Sequence, residues 1–177
     1  MKPPCLETER LFVQPLSEAD AKPLYTYRTH PDVTRFQSLM FKNESEALHF
    51  IQGHEGHDFG IPGTWFQLGV YLKPDMLLVG DIGLHFLDED TRTVEMGYTI
   101  APAYQRKGYA FEALRRILAF LFTVCKTKTV IAVTDHDNHP SIHLLAKMDF
   151  IKAIPETLPF DLELLDEEVV FTRSQFS

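Results

Sequence analysis

A glutamine, two cations and a glycine stand directly before a long apolar helix pattern, in the stretch QRKGYA at residues 105–110. The first turn of a helix exposes unpaired backbone N–H groups and partial positive charge, so it can bind anions. Gly108 has no Cβ, which lets a bulky anion approach the backbone, while Arg106 and Lys107 add full charges. This combination fits a diphosphate better than a lone carboxylate. The alternative is a solvated turn with ordinary surface cations.

Histidines and aspartates in the stretch DHDNHPSIH, residues 135–143, raise the question of a metal site. His139 and His143 are four residues apart, so they share one face of a helix, and this spacing can seat zinc. The HExxH pattern of zinc enzymes is missing from the sequence, however, and Pro140 lies between the two histidines. We therefore expect no metal cofactor.

The composition favours one folded domain spanning residues 1–177. Apolar residues make up 45% of the chain, which is typical of a packed globular protein. The apolar run ILAFLFTVC is about half the length that a membrane span needs. Two cysteines are too few for a disulfide framework, and the N-terminal residues lack the apolar core of a signal peptide. We expect a cytoplasmic protein with no membrane partner.

The charge balance limits the possible ligands. Seventeen Lys and Arg stand against 25 Asp and Glu, for a net charge of −8. Because duplex nucleic acid is bound through basic surfaces, we expect no nucleic-acid partner. An acidic surface attracts a cationic small molecule or peptide, although acidic surfaces also serve solubility alone.

Hydrophobic periodicity predicts a mixed α/β (α+β) sheet with helices packed on it. The order is a strand, two helices, three antiparallel strands, a helix, a strand, a helix and a last strand. Ser17, Asn43 and Asn138 are the predicted N-caps. The predicted strands are 10–16, 65–72, 76–87, 93–100, 129–135 and 167–173, and the predicted helices are 17–28, 43–53, 108–126 and 138–148.

The strand at 93–100 leads directly into the predicted anion loop. Its residues alternate between an apolar and a more polar face, as expected for a strand buried on one side. The apolar face carries Val94, Met96, Tyr98 and Ile100, and the other carries Glu95, Gly97 and Thr99.

Several segments resemble the GNAT superfamily of acetyl-CoA-dependent N-acetyltransferases. QRKGYA at 105–110 is similar to the Q/R-x-x-G-x-G/A loop that binds the CoA diphosphate in that family. The stretches at 7–21, 94–114 and 138–150 resemble the opening, the strand–loop–helix unit and the N-x-x-S-x-x-L-L-x-K-x-G-F segment of its Rim-type branch, the ribosomal-protein N-acetyltransferases. These pieces run in family order from residue 7 to residue 150, and residues 151–177 match only loosely.

The resemblance implies a GNAT fold, with a mostly antiparallel sheet of about six to seven strands and about four helices on its faces. It implies transfer of an acetyl group from acetyl-CoA to a primary amine by direct attack. The loop from Gln105 to Ala110, including Tyr109, is then the diphosphate site. The backbone around Tyr98, Thr99 and Ile100 would bind the acetyl carbonyl and the pantetheine arm, and Asn138 would lie near CoA or substrate.

The reaction needs a base for the amine and an acid for the departing thiolate. Glu95, on the polar face of the strand before the loop, is our first candidate base, with His85 or water as alternatives. Many family members use a tyrosine as the acid, but the spacing places Leu145 at that position. Ser141, one helical turn earlier, is the nearest hydroxyl, and helix capping is its alternative role.

Three other positions depart from the family pattern. Phe111 stands where a small hydroxyl residue is frequent, Thr99 replaces a frequent Trp, and Asp149 replaces a Gly at a helix C-terminus. Asp tolerates the left-handed backbone conformation that such a position requires.

The acceptor amine remains open between classes. An α-amine has a reference pKa of about 8 and a lysine side chain one of about 10.4, so deprotonating the lysine costs about 3 kcal/mol more. A weak base therefore favours the N-terminal α-amine of a protein or peptide. A polyamine or aminoglycoside acceptor, or an inactive CoA-binding module, is the alternative. The chain would act as a monomer or a homodimer.

Overall fold

One eight-stranded sheet organises the part of the chain that the computed structural model describes, residues 1–37, 39–54, 58–87, 92–155, 158 and 164–175. Its strands are β1 (Leu6–Glu7), β2 (Leu11–Pro15), β3 (Trp65–Leu72), β4 (Leu77–Phe86), β5 (Thr93–Ile100), β6 (Thr129–Asp135), β7 (Ile151–Lys152) and β8 (Glu168–Ser174). They lie side by side in the order β1-β2-β3-β4-β5-β6-β8-β7. Every neighbouring pair is antiparallel except β5 and β6, which run parallel.

Helices cover both faces of this sheet. The described residues form α1 (Ala21–Arg28), α2 (Pro31–Thr34), α3 (Glu44–Gln52), α4 (Tyr109–Thr123) and α5 (His139–Lys147), with 3-10 turns at Glu18–Asp20 and Pro102–Tyr104. Two separate apolar cores show the layering, since α4 and α5 share one core with the sheet while α1 and α3 share the other. We call these two sides the α4/α5 face and the α1/α3 face.

The long helix α4 is held by an apolar stripe. Leu114, Ile117, Leu118 and Leu121 are each at most 2% exposed. Full burial of one such side chain contributes about 1.5–3 kcal/mol. This stripe therefore fixes the helix on the sheet and, with it, the position of the helix N-terminus. Within the described residues no helix has both the length and the apolar character needed to cross a bilayer.

The six strands and four helices predicted from periodicity are all present, and the fold is the mixed, mostly antiparallel architecture that we expected. The predicted helix at 17–28 is divided into a 3-10 turn and α1, so that Pro23 falls in the first turn of α1, where proline is tolerated. Three short elements were not predicted, namely β1, α2 and β7.

Helix ends agree with the predicted caps. Asn43 Oδ1 accepts a hydrogen bond from the Glu46 N–H at 3.0 Å, and Asn138 Oδ1 accepts one from the Ser141 N–H at 3.2 Å. Asp149 adopts φ +61°, the left-handed conformation expected where the family has Gly.

The strands β5 and β6 separate before they end. They pair only from Thr93–Thr129 to Glu95–Ile131, although β5 continues to Ile100 and β6 to Asp135. Over its whole length β6 stays paired with β8. A wedge-shaped gap therefore opens in the sheet between the C-terminal halves of β5 and β6.

Candidate active site

A cleft of about 1520 Å³ passes through this gap. Single small-molecule sites measure about 300–1,000 Å³, so the cleft has room for a large cofactor and a second substrate. Its walls come from the α1–α2 region, β3 to β6, the N-terminus of α4, and α5. The cleft thus joins the two faces of the sheet.

The loop before α4 lies at one end of the cleft. Gly108 is the N-cap of α4 and has φ +82°, a left-handed conformation that glycine adopts without strain. Arg106 also has a positive φ, +60°, so the loop curls tightly before the helix. No side chain caps the helix, so the N–H groups of the first turn remain open to a ligand. Of the predicted loop residues, Gln105, Arg106, Gly108, Tyr109 and Ala110 line the cleft.

Lys107 is the one predicted loop residue that does not line the cleft. Its Nζ lies 5.1 Å from the centroid of the Tyr104 ring, in a cation–π contact. Its backbone carbonyl accepts a hydrogen bond from Arg10 Nη1 at 3.1 Å. Lys107 therefore helps to shape the loop more than it charges the cleft.

A carboxylate anchors this loop to the N-terminal segment. Glu112, in the first turn of α4, accepts hydrogen bonds from the Thr8 hydroxyl at 2.6 Å, the Arg10 N–H at 2.9 Å and Arg10 Nε at 2.6 Å. Burial alone would raise the pKa of Glu112, but these three hydrogen bonds and the Arg10 charge outweigh burial and lower it. The ionised Glu112 thus holds Arg10 where Arg10 can bond to the loop carbonyl.

Backbone N–H groups of β5 point into the gap. The Ala101 N–H donates to the Val79 carbonyl at 2.9 Å, so the residues of odd number in β5 direct their backbone groups at β4. The N–H groups of Tyr98 and Ile100 therefore face the gap, beyond the last pair with β6. The backbone of Thr99 is instead directed at β4, although Thr99 is also among the residues that line the cleft.

Two hydroxyls meet on the α4/α5 face of the gap. Tyr98 Oη and Ser141 Oγ are 2.8 Å apart. The Asn138 side chain caps the same turn of α5, and both Asn138 and Ser141 line the cleft. The structure therefore brings together three of the residues that the sequence indicated.

Glu95 lies on the opposite, α1/α3 face, in a row of three side chains across the sheet. Trp65, His85 and Glu95 are directly opposite one another on β3, β4 and β5. The Trp65 and His85 rings are stacked, with centroids 4.9 Å apart, and His85 Nδ1 is 3.4 Å from Glu95 Oε2. The Glu95 side chain is 21% exposed and borders the cleft. Both candidate bases are thus in contact with each other.

The next row contains two glycines, and side chains cover only one of them, because a Cβ added to Gly83 would lie 3.0 Å from Gln67 Oε1 and 3.1 Å from the Trp65 ring. Gln67, Gly83 and Gly97 face one another on the same three strands. A Cβ added to Gly97 would meet no heavy atom within 4 Å, so the space above it is open. Isolated glycines in strands are typical of places where another backbone or a ligand comes close. A flat slot therefore begins beside Glu95.

Thr99 closes the far end of the slot. It is opposite Asp81 on β4 and is 5% exposed. Its hydroxyl oxygen has no hydrogen-bond partner among the described residues. A buried hydroxyl in that state is costly, by about 1–3 kcal/mol.

A buried charge network borders the slot on the same face of the sheet, next to Thr99. The Asp81 carboxylate, which is 0% exposed, accepts hydrogen bonds from the Tyr27 hydroxyl, the Arg28 guanidinium and the Gln67 amide. Burial and the Asp81 charge raise the pKa of Tyr27, so this phenol remains a donor. Burial opposes the charge on Arg28, but Asp81 outweighs it and raises the pKa of Arg28.

The network continues to β5 through Gln37. Arg28 Nη1 donates to Gln37 Oε1 at 2.9 Å, and Gln37 Nε2 donates to the Tyr98 carbonyl at 3.4 Å. Gln105 Nε2 likewise donates to the Ile100 carbonyl at 2.9 Å. Two side-chain amides thus donate hydrogen bonds to backbone carbonyls at the gap edge of β5, next to the N–H groups that face the gap.

Leu145 and the histidines of α5 do not add chemistry to the cleft. Leu145 is 0% exposed and belongs to the apolar core, whereas its neighbour Leu144 lines the cleft. His139 and His143 do not line the cleft, and the described residues contain no group of three or more His, Cys, Asp or Glu that could hold a metal ion.

Sequence reasoning missed the residues that build the slot. Gly97 was placed on the correct face of β5 but given no role, although an isolated Gly in a strand is itself a signal of close approach. Asp81, Arg28 and Gln67 carry no such signal, because their contact depends on tertiary packing of segments 14 to 53 residues apart.

Comparison with known proteins gives a consistent result. Residues 10–151 match the family model described as an acetyltransferase (GNAT) domain. The chain is 30% identical over 150 residues to the uncharacterized N-acetyltransferase YoaA of Bacillus subtilis (strain 168), covering 84% of both proteins.

Solved structures share the fold. One is assigned as a ribosomal-protein-serine acetyltransferase from Vibrio cholerae, with a TM-score of 0.79 and 23% identity over 98% of this chain and 99% of that one. Another is the microcin C7 self-immunity acetyltransferase MccE in complex with acetyl-CoA and AMP, with a TM-score of 0.76 and 14% identity over 94% and 93%.

Proposed function

The chain belongs to the GNAT acetyltransferase family and is an acetyl-CoA-dependent N-acetyltransferase, and we propose that its acceptor is the N-terminal α-amine of a protein or peptide. The observation that carries this proposal is the gap between β5 and β6. It joins the open helix N-terminus at Gly108, on the α4/α5 face, to the half-buried carboxylate of Glu95 on the α1/α3 face. A cofactor and an amine can therefore meet from opposite sides.

The loop from Gln105 to Ala110 holds the CoA diphosphate. The N–H groups at the start of α4 are open and are accompanied by the helix dipole. Arg106 adds a full charge inside the cleft. Acetyl-CoA supplies the activated acetyl group, and a fold relative, MccE, has been solved with acetyl-CoA bound.

The gap edge of β5 positions the thioester. The N–H groups of Tyr98 and Ile100 face the gap, where they can donate to the pantetheine arm and to the carbonyl oxygen of the acetyl group. Fixed donors aimed at this oxygen stabilise the charge that develops when the amine attacks. The bonds from Gln37 and Gln105 to the neighbouring carbonyls keep this edge in place.

Glu95 accepts the proton of the amine, directly or through water, and Ser141 donates one to the departing sulfur. The two residues lie on opposite faces of the sheet, as required when the amine enters on one side and the thiolate leaves on the other. His85, 3.4 Å from Glu95, orients the carboxylate.

Two features favour a peptide α-amine as the acceptor. A carboxylate is a weak base, and an α-amine, with a reference pKa of about 8, is easier to deprotonate than a lysine side chain. The open space above Gly97 admits an extended peptide backbone close to the sheet. The Rim-type segments at 7–21 and 138–150 support the ribosomal-protein type of substrate.

A polyamine or aminoglycoside is the second candidate acceptor. Acidic side chains outnumber basic ones along the cleft, and one of the basic ones, Arg28, is already paired with Asp81. Such a lining would also attract a small polycation. The carboxyl groups concerned belong to Asp32, Glu95, Asp135, Asp166, Glu167 and Glu168.

Measuring the rate of CoA thiol release with a panel of amines distinguishes these candidate functions. The panel contains a lysine-free peptide with a free N-terminus, the same peptide N-terminally blocked and carrying one lysine, a polyamine and an aminoglycoside. We expect the free N-terminus to exceed the blocked lysine peptide by up to about 10²-fold in kcat/KM, from the difference in amine pKa. Faster release with the polycations identifies a small-molecule enzyme, and CoA binding without release on any amine identifies an inactive module.

A further inference from the structure

The contact between Tyr98 and Ser141 is the one pair of side-chain hydroxyls among the described residues that meets inside the gap. Tyr98 projects from β5 toward the α4/α5 face, and Ser141 projects from the first turn of α5 toward it. Their oxygens are 2.8 Å apart, a good O–H···O distance. The Ser141 N–H is fixed separately by Asn138.

Each hydroxyl has one proton to donate, so the pair has two alternative arrangements. When Ser141 donates to Tyr98, the Ser141 proton is used within the pair. When Tyr98 donates to Ser141, the Ser141 proton is free to point into the cleft. Burial raises the pKa of Tyr98 to about 12, with the Ser141 hydrogen bond acting in the opposite direction, so the phenol keeps its proton at neutral pH.

We propose that Tyr98 donates its hydroxyl proton to Ser141 and thereby directs the Ser141 proton to the sulfur that leaves acetyl-CoA. The proposal rests on the proposed function, because it needs the thioester in the gap. Ser141 is the residue that touches the sulfur, and Tyr98 is a positioning residue that acts through it. A serine alone is a weak acid, and a phenol behind it strengthens the donor, since hydrogen bonds in a chain polarise one another.

The proton movements balance. The amine forms a bond to the acetyl carbon, the C–S bond breaks, and its electron pair stays on sulfur. Sulfur takes the Ser141 proton while Ser141 takes the Tyr98 proton. The amine nitrogen has meanwhile lost a proton to Glu95, and the Tyr98 phenolate regains one from solvent. One thiol and one amide result.

The other tyrosines of the cleft are differently engaged. Tyr104 lies under Lys107, and Tyr109 lies under Arg10, whose guanidinium carbon is 4.6 Å from the ring centroid. Both belong to the loop end of the cleft. Tyr104→Phe is therefore a matched control that removes one phenol oxygen from the same cleft and leaves the Tyr98–Ser141 pair intact.

The test measures the ionisation of the CoA thiol itself, so it needs no acceptor. CoA is bound at saturating protein, binding is confirmed by calorimetry, and thiolate absorbance is recorded across pH. A donor at the sulfur stabilises the thiolate. We expect Ser141→Ala and Tyr98→Phe each to raise the pKa of the bound thiol by about one unit, as loss of a charge-assisted hydrogen bond would, and Tyr104→Phe to leave it unchanged.

The two residues act in series, so the double variant is informative. We expect Tyr98→Phe with Ser141→Ala to shift the thiol pKa no further than Ser141→Ala alone, whereas independent effects would add. Two outcomes overturn the proposal. One is that the shifts in thiol pKa add in the double variant, and the other is that CoA bound to the Tyr98→Phe variant has the same thiol pKa as CoA bound to the wild type. If the Tyr98→Phe variant does not fold, the Ser141→Ala variant still tests the proposal, because an unchanged pKa of the bound CoA thiol in that variant would overturn it. Failure of wild-type protein to bind CoA would instead contradict the proposed function.

Discussion

Gly97 lies directly opposite Gly83 across β4 and β5, and the space above Gly97 is open to at least 4 Å from an added Cβ. Gly97 separates Glu95 from Thr99 on the α1/α3 face. The open space above Gly97, with the Glu95 carboxylate beside it, is suited to a substrate backbone that must bring an amine to that carboxylate.

Filling this space should block the acceptor and spare the cofactor. Gly97→Val suits a strand and clashes with nothing nearby, so we expect an unchanged or higher melting temperature. The value of kcat/KM for the acceptor should fall by about tenfold or more. The valine side chain would displace the acceptor amine, and the loss of correct positioning raises the activation free energy by at least about 1.4 kcal/mol. Calorimetry with CoA should give the wild-type Kd. Normal turnover in this variant would show that the acceptor does not lie over Gly97.

The contact between Glu95 and His85 makes the assignment of the base testable. Glu95→Gln keeps the shape of the side chain and removes the carboxylate, so kcat should fall by about 10²-fold or more, with CoA affinity kept. His85→Gln is the matched variant and should cost less, because we propose that His85, 3.4 Å from Glu95, only orients the carboxylate. A larger loss in His85→Gln than in Glu95→Gln, measured across pH, would identify the histidine as the base.

Much of this site was predictable from local pattern. The alternation in 93–100 placed Glu95, Gly97 and Thr99 on one face, and the glycine before α4 indicated the open helix N-terminus. The caps at Asn43 and Asn138 needed only spacing of three residues. These features depend on the chain near each residue, which sequence periodicity reports.

The rest depends on packing between distant segments. β1 and β7 have two residues each, too few to show alternation, and α2 has four. The contact between Tyr98 and Ser141 joins residues 43 apart, and that between Arg28 and Asp81 joins residues 53 apart. Neither follows from a pattern, because each requires that the helices be placed on the correct face of the sheet.

The buried pair of Arg28 and Asp81 should be costly to break. Asp81→Ala leaves the guanidinium without its carboxylate, and we expect a loss of about 3–5 kcal/mol in the free energy of unfolding. For a chain of this size that corresponds to a melting temperature lower by about 6–20 °C. Replacing both charges, as in Asp81→Leu with Arg28→Met, should recover much of the loss. A double variant as unstable as the sum of the singles would contradict this account.

Glu112 should make stability depend on pH at acid values. Its pKa is lower in the folded protein than in the unfolded chain, so ionised Glu112 stabilises the fold above the unfolded pKa, and that stability is lost as the pH falls through the folded pKa. We expect Glu112→Gln to lower the melting temperature at pH 7 and to flatten its decline below about pH 4.5, the ordinary range of a Glu. Parallel melting curves across pH for both proteins would remove Glu112 as the cause.

Gly108 should matter most for the cofactor. Its φ of +82° strains any other residue, and an added Cβ would contact Nη2 of Arg10, the side chain that holds the loop through the Lys107 carbonyl, at 3.4 Å. Gly108→Val should raise the Kd for CoA by about 10²-fold or more, as expected from losing two hydrogen bonds to charged oxygens. Gly97→Val is the matched control, because it makes the same change at a glycine without positive φ.

The cations of the loop should rank below Gly108 and differ from each other. Arg106 lines the cleft, whereas Lys107 is turned onto Tyr104, so Arg106→Ala should weaken CoA binding more than Lys107→Ala. Salt screens exposed charges, so both effects should shrink as ionic strength rises, while that of Gly108→Val should not. Calorimetry with CoA and with dephosphorylated pantetheine measures this. Equal affinity of the wild type for both ligands, or normal CoA binding by Gly108→Val, would place the diphosphate elsewhere.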